Sequence, residues 1–296
     1  MSRVNEIKET IKTLESVDVN NLSVEEIKDL LFPMFKGLIV QTPKLGSGIK
    51  LFRSRKGNKP GNIKSILYPP SNKVTNFGRV NRPSQSVFYS ATSREATFFE
   101  QDLKVGDFIT IGRWKTTSEL LVANVGYSSG VFNGLNSNRE CQKWGDDTKI
   151  SNEENRYILN WLSKQFATKV KSSNESYYKI SVAIAEKFLM GELFSGIIYP
   201  TIAMRANADN VVLYPEVVDE HLSFERVEYA EIEEVGDFKF EIKVRDFADE
   251  LTDAGKIKWK GRHPNWKLKP KEKLELSIEN GKWVARDNNG NIVEPK

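Results

Sequence analysis

The stretch ERVEYAEIEEV at residues 225–235, with FKFEIKVRDF close behind at 238–247, limits the folds open to this chain more than any other feature. Apolar and charged residues alternate along both runs, and a period of two is the side-chain period of a strand with one wet face. A helix would scatter the same residues around its axis. A hairpin signal follows at Asn280-Gly281, between KLELSI and KWVARD. Antiparallel, solvent-exposed strands are therefore expected from about residue 224 onward.

The preceding residues mix periods. Two amphipathic helices are predicted at 4–16 and 24–37, the second opened by a Ser23/Glu26 capping box. GIKLFRSRKG, SVFYSA, GDFITIGRW and ELLVANVGY read as strands. Ser151 and Glu154 announce a helix in which Tyr157, Ile158, Trp161, Leu162 and Phe166 recur at core spacing, and a second helix runs to Gly191. SGIIYPT and NVVLYPE then read as strands around the polar loop IAMRANAD. The expected fold class is α+β, with a helical segment at 1–40, a central domain at 41–223 and a β-rich appendage at 224–296.

Composition excludes several chemistries. Cys141 is the only cysteine, and His221 and His263 are the only histidines, which disfavours a disulfide, a thiolate zinc site, a histidine metal site or a Ser-His-Asp triad. A net charge of +4 from 44 basic and 40 acidic residues is mild. The lysine-rich run NWKLKPKEKLE is interrupted by apolar and acidic residues and reads as a solvated strand edge, so no direct nucleic-acid contact is expected. KGNKPGN lacks the Gly-Lys-Ser/Thr ending of a phosphate-binding loop. No apolar run approaches the ~20 residues that span a bilayer. MSRVNEIKETIKTLE is unlike a signal peptide, and a cytoplasmic location is expected.

One segment carries a conflict. In GRVNRPSQSVFYSATSREATFFE, residues 78–100, Thr92 and Glu95 predict a capping box for a helix reaching about Lys104, with Ala96, Phe99 and Leu103 as its apolar stripe. Glu100 falls on or beside that stripe, where a carboxylate needs a partner. Arg79, Tyr89 and Glu100 lie ten and eleven residues apart on consecutive loop, strand and helix, an order that can converge on a cleft. Singly, each has a plainer reading. Glu100 would be a stripe edge or a salt-bridge partner, Tyr89 a core residue, and Arg53 and Arg79 surface residues. Thr201 would be strand-end chemistry, and Asn210 stays open between turn and site. The sequence GRW at 112–114 lacks a Tyr and Glu at those distances and has Lys115 where an Asn would follow, so it reads as strand.

GRVN, VFYSA and EATFFE, in this order and spacing, resemble the RES domain, named for its Arg, Glu and Ser. Its usual pattern runs Gly-Arg-Trp-Asn, then Tyr, then Glu. SGIIYPTIAMRANADNVVLYP is similar to that family's later Tyr-Pro-Ser segment with a downstream Asn. The resemblance covers about residues 48–216. It places Arg79, Tyr89 and Glu100 at the family's site positions, Arg53 at its early arginine and Thr201 at its serine. Val80 departs from the usual Trp, and Thr201 keeps the hydroxyl while adding a methyl group.

What the resemblance implies is a fold like that of ADP-ribosyltransferases and breakdown of NAD, usually as the toxin of a toxin–antitoxin pair. NAD would be the substrate, with no prosthetic cofactor and no metal, and the partner a helix-turn-helix antitoxin. The nicotinamide–ribose bond would be cleaved with water or inorganic phosphate as acceptor. The alternatives are ADP-ribosyl transfer to a macromolecule and a non-catalytic NAD-binding module. The chemistry fits these residues. Cleavage passes through an oxocarbenium-like state that the Glu100 carboxylate can stabilise, and the cationic nicotinamide leaves without a strong general acid. Arg79 and Arg53 suit a pyrophosphate, Tyr89 can stack or donate its hydroxyl, and Thr201 can hydrogen-bond ribose or phosphate.

Overall fold

The computed structural model describes residues 2–39, 42–139, 152–168, 176–189, 193–236 and 239–261, with strands at 267–268, 275–279, 282–286 and 292–293. The chain opens on α1 (Arg3–Ser16) and α2 (Val24–Phe35). The expected capping box closes α2: Ser23 Oγ accepts from Glu26 N at 3.2 Å, and Glu26 Oε2 accepts from Ser23 N at 2.7 Å.

The central part supplies β1 (Lys44–Leu45), β2 (Lys50–Lys56), β3 (Phe88–Ala91), α3 (Ala96–Phe99), β4 (Phe108–Thr116), β5 (Leu120–Asn124) and α4 (Ser129–Gly134). It continues through α5 (Glu153–Ala167), α6 (Tyr178–Leu189), β6 (Gly196–Pro200), β7 (Asp209–Leu213) and α7 (Pro215–His221). Then come β8 (Leu222–Gly236), β9 (Lys239–Ala248) and β10 (Lys267–Leu268). One mixed sheet takes these ten strands in the order β1-β5-β6-β7-β3-β2-β4-β8-β9-β10. β5 and β6 pair in parallel, from Val122↔Gly196 to Asn124↔Ile198. Parallel neighbours need a long crossover, and the chain through α4, α5 and α6 provides it. The architecture is mixed α+β, as the periodicities predict.

Alternation along the central strands buries both faces of the sheet. Ile197, Tyr199 and Val212 face α1, α2, α5 and α6, whereas their neighbours Ile198, Val211 and Leu213 join Leu51, Phe88 and Trp114 on the other side. The N-terminal helices belong to the first core, where Ile27, Leu31 and Met34 lie buried with Ile184 and Phe188. Ile27→Val is expected to lower unfolding free energy by about 0.5–1.5 kcal/mol in urea titration. A helical pair merely tethered to the fold would show no change.

Several sequence expectations change. The boundary expected at 224 falls inside β8, which pairs with β4 from Thr116↔Leu222 to Phe108↔Glu231, so the charged alternating runs extend the main sheet. A separate three-stranded sheet is formed by β11 (Glu275–Glu279), β12 (Lys282–Arg286) and β13 (Ile292–Val293). Glu279 pairs with Lys282 across the predicted turn, although Asn280 and Gly281 lie outside the described residues. So do Ser151, Gly191, Cys141 and His263. The cap of α5 is Asn152, whose side chain accepts from Asn155 N at 2.7 Å, and Tyr157 is exposed rather than core. No helix among the described residues is long and apolar enough to cross a membrane.

Candidate active site

The loop before β3 explains its own sequence. Gly78 has no room for a side chain, because a Cβ there would lie 2.3 Å from Asn81 Oδ1 and 2.7 Å from the Tyr89 hydroxyl. Those two groups are bonded to each other: Tyr89 Oη donates to Asn81 Oδ1 at 2.9 Å and accepts from Val80 N at 2.9 Å. Asn81 Nδ2 donates to the Arg82 carbonyl at 3.0 Å. The loop is thus threaded around one phenol, with Val80 buried in the helical-side core. Arg79 then reaches the end of α5, donating from Nη1 to Gln165 O at 3.2 Å and from Nη2 to Thr168 O at 3.0 Å. A cation at these last carbonyls suits the negative end of the helix dipole. Its guanidinium also lies 5.4 Å from the Tyr178 ring centroid and 6.0 Å from that of Tyr199.

Glu100 arrives by a different route from the one expected. Thr92 caps no helix, since its N–H and hydroxyl engage the backbone of Asp209. Ser93 Oγ accepts from Ala96 N instead, and α3 lasts a single turn, with Ala96 packed on Ala91 and Ala208. Glu100 sits at the end of that turn and is exposed, not buried. Its Oε1 accepts from Thr201 Oγ1 at 2.6 Å and from Asn210 Nδ2 at 3.0 Å. Both donors are buried, Thr201 at 0 % exposure and Asn210 at 8 %. Asn210 stands in a cross-strand row with Tyr199 and Ala91. No cation among the described residues lies within ion-pair distance of Glu100, which removes the salt-bridge reading.

Two site expectations need correction. Thr201 was expected to touch ribose or phosphate, but it is wholly buried and its hydroxyl proton goes to Glu100, so it orients the carboxylate. Arg53 was expected at the same cleft. β2 and β3 pair only at Phe52↔Ala91, and alternation puts Arg53 with Leu51 on the face opposite the Tyr89 ring. There its guanidinium lies 5.7 Å from the Phe88 ring centroid, and Nη1 donates to the Tyr89 carbonyl at 2.8 Å. Burial pushes its pKa down to about 10, so it stays cationic at neutral pH. It fastens the gap between two strands.

Tyr199 joins the two halves. Burial, first of all, holds its phenol pKa well above the ordinary value. Tyr89, Glu100 and Tyr178 add to the rise and Arg79 opposes it, which places all four within electrostatic reach of one side chain. Tyr89 is likewise raised, chiefly by burial. Neither phenol ionises near neutrality. The arrangement is a carboxylate held by two neutral donors, with no described cation at ion-pair distance, within electrostatic reach of the un-ionised Tyr199 phenol. Such a site can stabilise positive charge that develops in a reaction. No group of three or more metal-ligating side chains occurs among the described residues. Asn81, Tyr178 and Tyr199 are site neighbours that the sequence alone does not single out, and Asn210 stands open there between turn and site. The signal for Tyr199 and Asn210 was strand alternation in SGIIYPT and DNVVL, which the continuous apolar runs conceal. No protein-family model matches this sequence, and a search of curated proteins returns no match.

Proposed function

We propose that the chain is an NAD-consuming enzyme of the RES type, cleaving the bond between nicotinamide and ribose within an ADP-ribosyltransferase-like fold. The observation that carries this reading is the Glu100 carboxylate, held on one oxygen by buried Thr201 and Asn210 and lacking a cationic partner among the described residues. A carboxylate already paired with arginine would stabilise a ribosyl cation poorly; this one has no such partner among the described residues. The leaving nicotinamide becomes neutral as the bond breaks, so no proton donor is required. Tyr89 and Tyr199, un-ionised, give the site neutral walls.

Arg79 contacts the pyrophosphate in this reading with the N–H donors not spent on the end of α5, and Arg53 makes no substrate contact. The acceptor is water or inorganic phosphate. The RES resemblance further implies a toxin restrained by a helix-turn-helix antitoxin, and the N-terminal sequence a cytoplasmic location. Incubating the purified protein with NAD and following nicotinamide release tests the activity, and absence of release overturns it. With NAD labelled in the adenosine half, label retained on a protein or nucleic acid would assign transfer to a macromolecule instead.

The hydroxyl at residue 201 gives a graded check. Thr201→Val removes the donor without changing shape, and a hydrogen bond to a charged acceptor contributes about 1.5–3 kcal/mol. A fall in kcat of about 10–100-fold is expected. Thr201→Ser keeps the donor and should stay close to wild type.

A further inference from the structure

Two buried routes lead from Arg139 to Glu100. Arg139 Nη1 and Nη2 donate to the two carboxylate oxygens of Asp209, at 2.8 and 3.1 Å, and Nη1 also donates to the Ala206 carbonyl at 3.1 Å. Arg139 is 8 % exposed and Asp209 0 %. Tyr127 Oη donates to the same Asp209 Oδ1 at 2.6 Å. On the first route, Ala206 N donates to the Thr201 carbonyl at 2.7 Å, and Thr201 Oγ1 donates to Glu100. On the second, Asp209 precedes Asn210, whose side-chain amide donates to the same oxygen of Glu100.

The loop so gripped is strained. Arg205 (φ 52°) and Ala206 (φ 60°) both occupy the left-handed region, although neither is glycine. A backbone of that kind persists when its surroundings over-determine it. The bidentate pair supplies the constraint, together with Asn207 Oδ1, which accepts from Asn138 N at 2.9 Å. A buried ion pair is a poor source of net stability compared with apolar packing, so its presence here calls for another role.

We propose that the Arg139–Asp209 pair is the positioning device of the site, holding the 201–210 loop so that Thr201 and Asn210 meet Glu100 Oε1 together. This rests on the reading of Glu100 as the working carboxylate, and its test is chosen to separate the two. Arg139→Lys keeps the charge opposite Asp209 but loses the fork; Arg139→Met with Asp209→Asn removes both charges and leaves no buried ion unpaired. In each, the Asn210 side-chain amide is observed by ¹H–¹⁵N NMR, assigned through Asn210→Asp, alongside thermal unfolding and nicotinamide release from NAD.

The expected result is a folded protein whose Asn210 amide resonances move away from the wild-type position toward those of Glu100→Ala. The kcat should fall about 10²-fold with KM little changed, the signature of a displaced group. A merely structural pair would lower the melting temperature and leave resonances and kcat alone, and that outcome overturns the proposal. Moved resonances with an unchanged kcat would overturn it as well. If wild-type protein releases no nicotinamide, the catalytic reading falls, while the Asn210 resonances still decide whether the pair sets the loop.

Discussion

Glu100→Ala is expected to reduce nicotinamide release from NAD by about 10³-fold or more, because in the proposed mechanism the substitution removes the carboxylate that stabilises the developing ribosyl cation. Glu100→Gln should be as inactive, since a neutral amide keeps the shape and loses the charge. Folding should survive both changes. Glu100 is exposed at the end of a single helical turn, so water can reach the donors of Thr201 and Asn210 when the carboxylate goes. A melting temperature only slightly below wild type would show that the lost rate is chemical. Undiminished release from either variant would remove Glu100 from the mechanism.

The second large effect is expected at Gly78. A methyl group there meets Asn81 Oδ1 at 2.3 Å and Tyr89 Oη at 2.7 Å, and neither can retreat without breaking the hydrogen bonds that shape the loop. Overpacking of this kind costs about 1–3 kcal/mol. The loop also carries Arg79, so a displacement of about 1 Å should cost about 10²-fold in kcat. Gly78→Ala should therefore be impaired in both urea denaturation and turnover. Shortening residue 81 in the double variant Gly78→Ala/Asn81→Ser should recover part of the stability, because the nearest clashing atom is gone. Wild-type behaviour of Gly78→Ala would mean that the loop does not set the arginine.

The sequence announced elements better than faces. β2, β4, β6 and β7 lie where their apolar runs predict, and Ser23 with Glu26 caps α2 as its spacing requires. Thr92 and Glu95 carry the same local signature and cap nothing, because Thr92 is drawn into bonds with Asp209, more than a hundred residues away. Local pattern cannot register such a competitor. Arg53 failed for a related reason. Its alternation with Leu51 was readable, but its side relative to Tyr89 depends on the Phe52↔Ala91 register, a long-range fact. Asn210 was legible only as a polar residue after a loop until β6 and β7 aligned it beside Tyr199. The order of Arg79, Tyr89 and Glu100 on loop, strand and short helix was readable in the chain, whereas what each side chain bonds to was not.

The long strand β8 also limits how this chain can be rearranged in evolution. Gene fusion or exchange at the point where composition changes would sever it from β4 along the ladder from Leu222 to Glu231, baring a row of amides and carbonyls in the middle of the sheet. The charged strands β8 and β9 are therefore joined to the strands that carry the site by one hydrogen-bonded sheet, which ends only at β10.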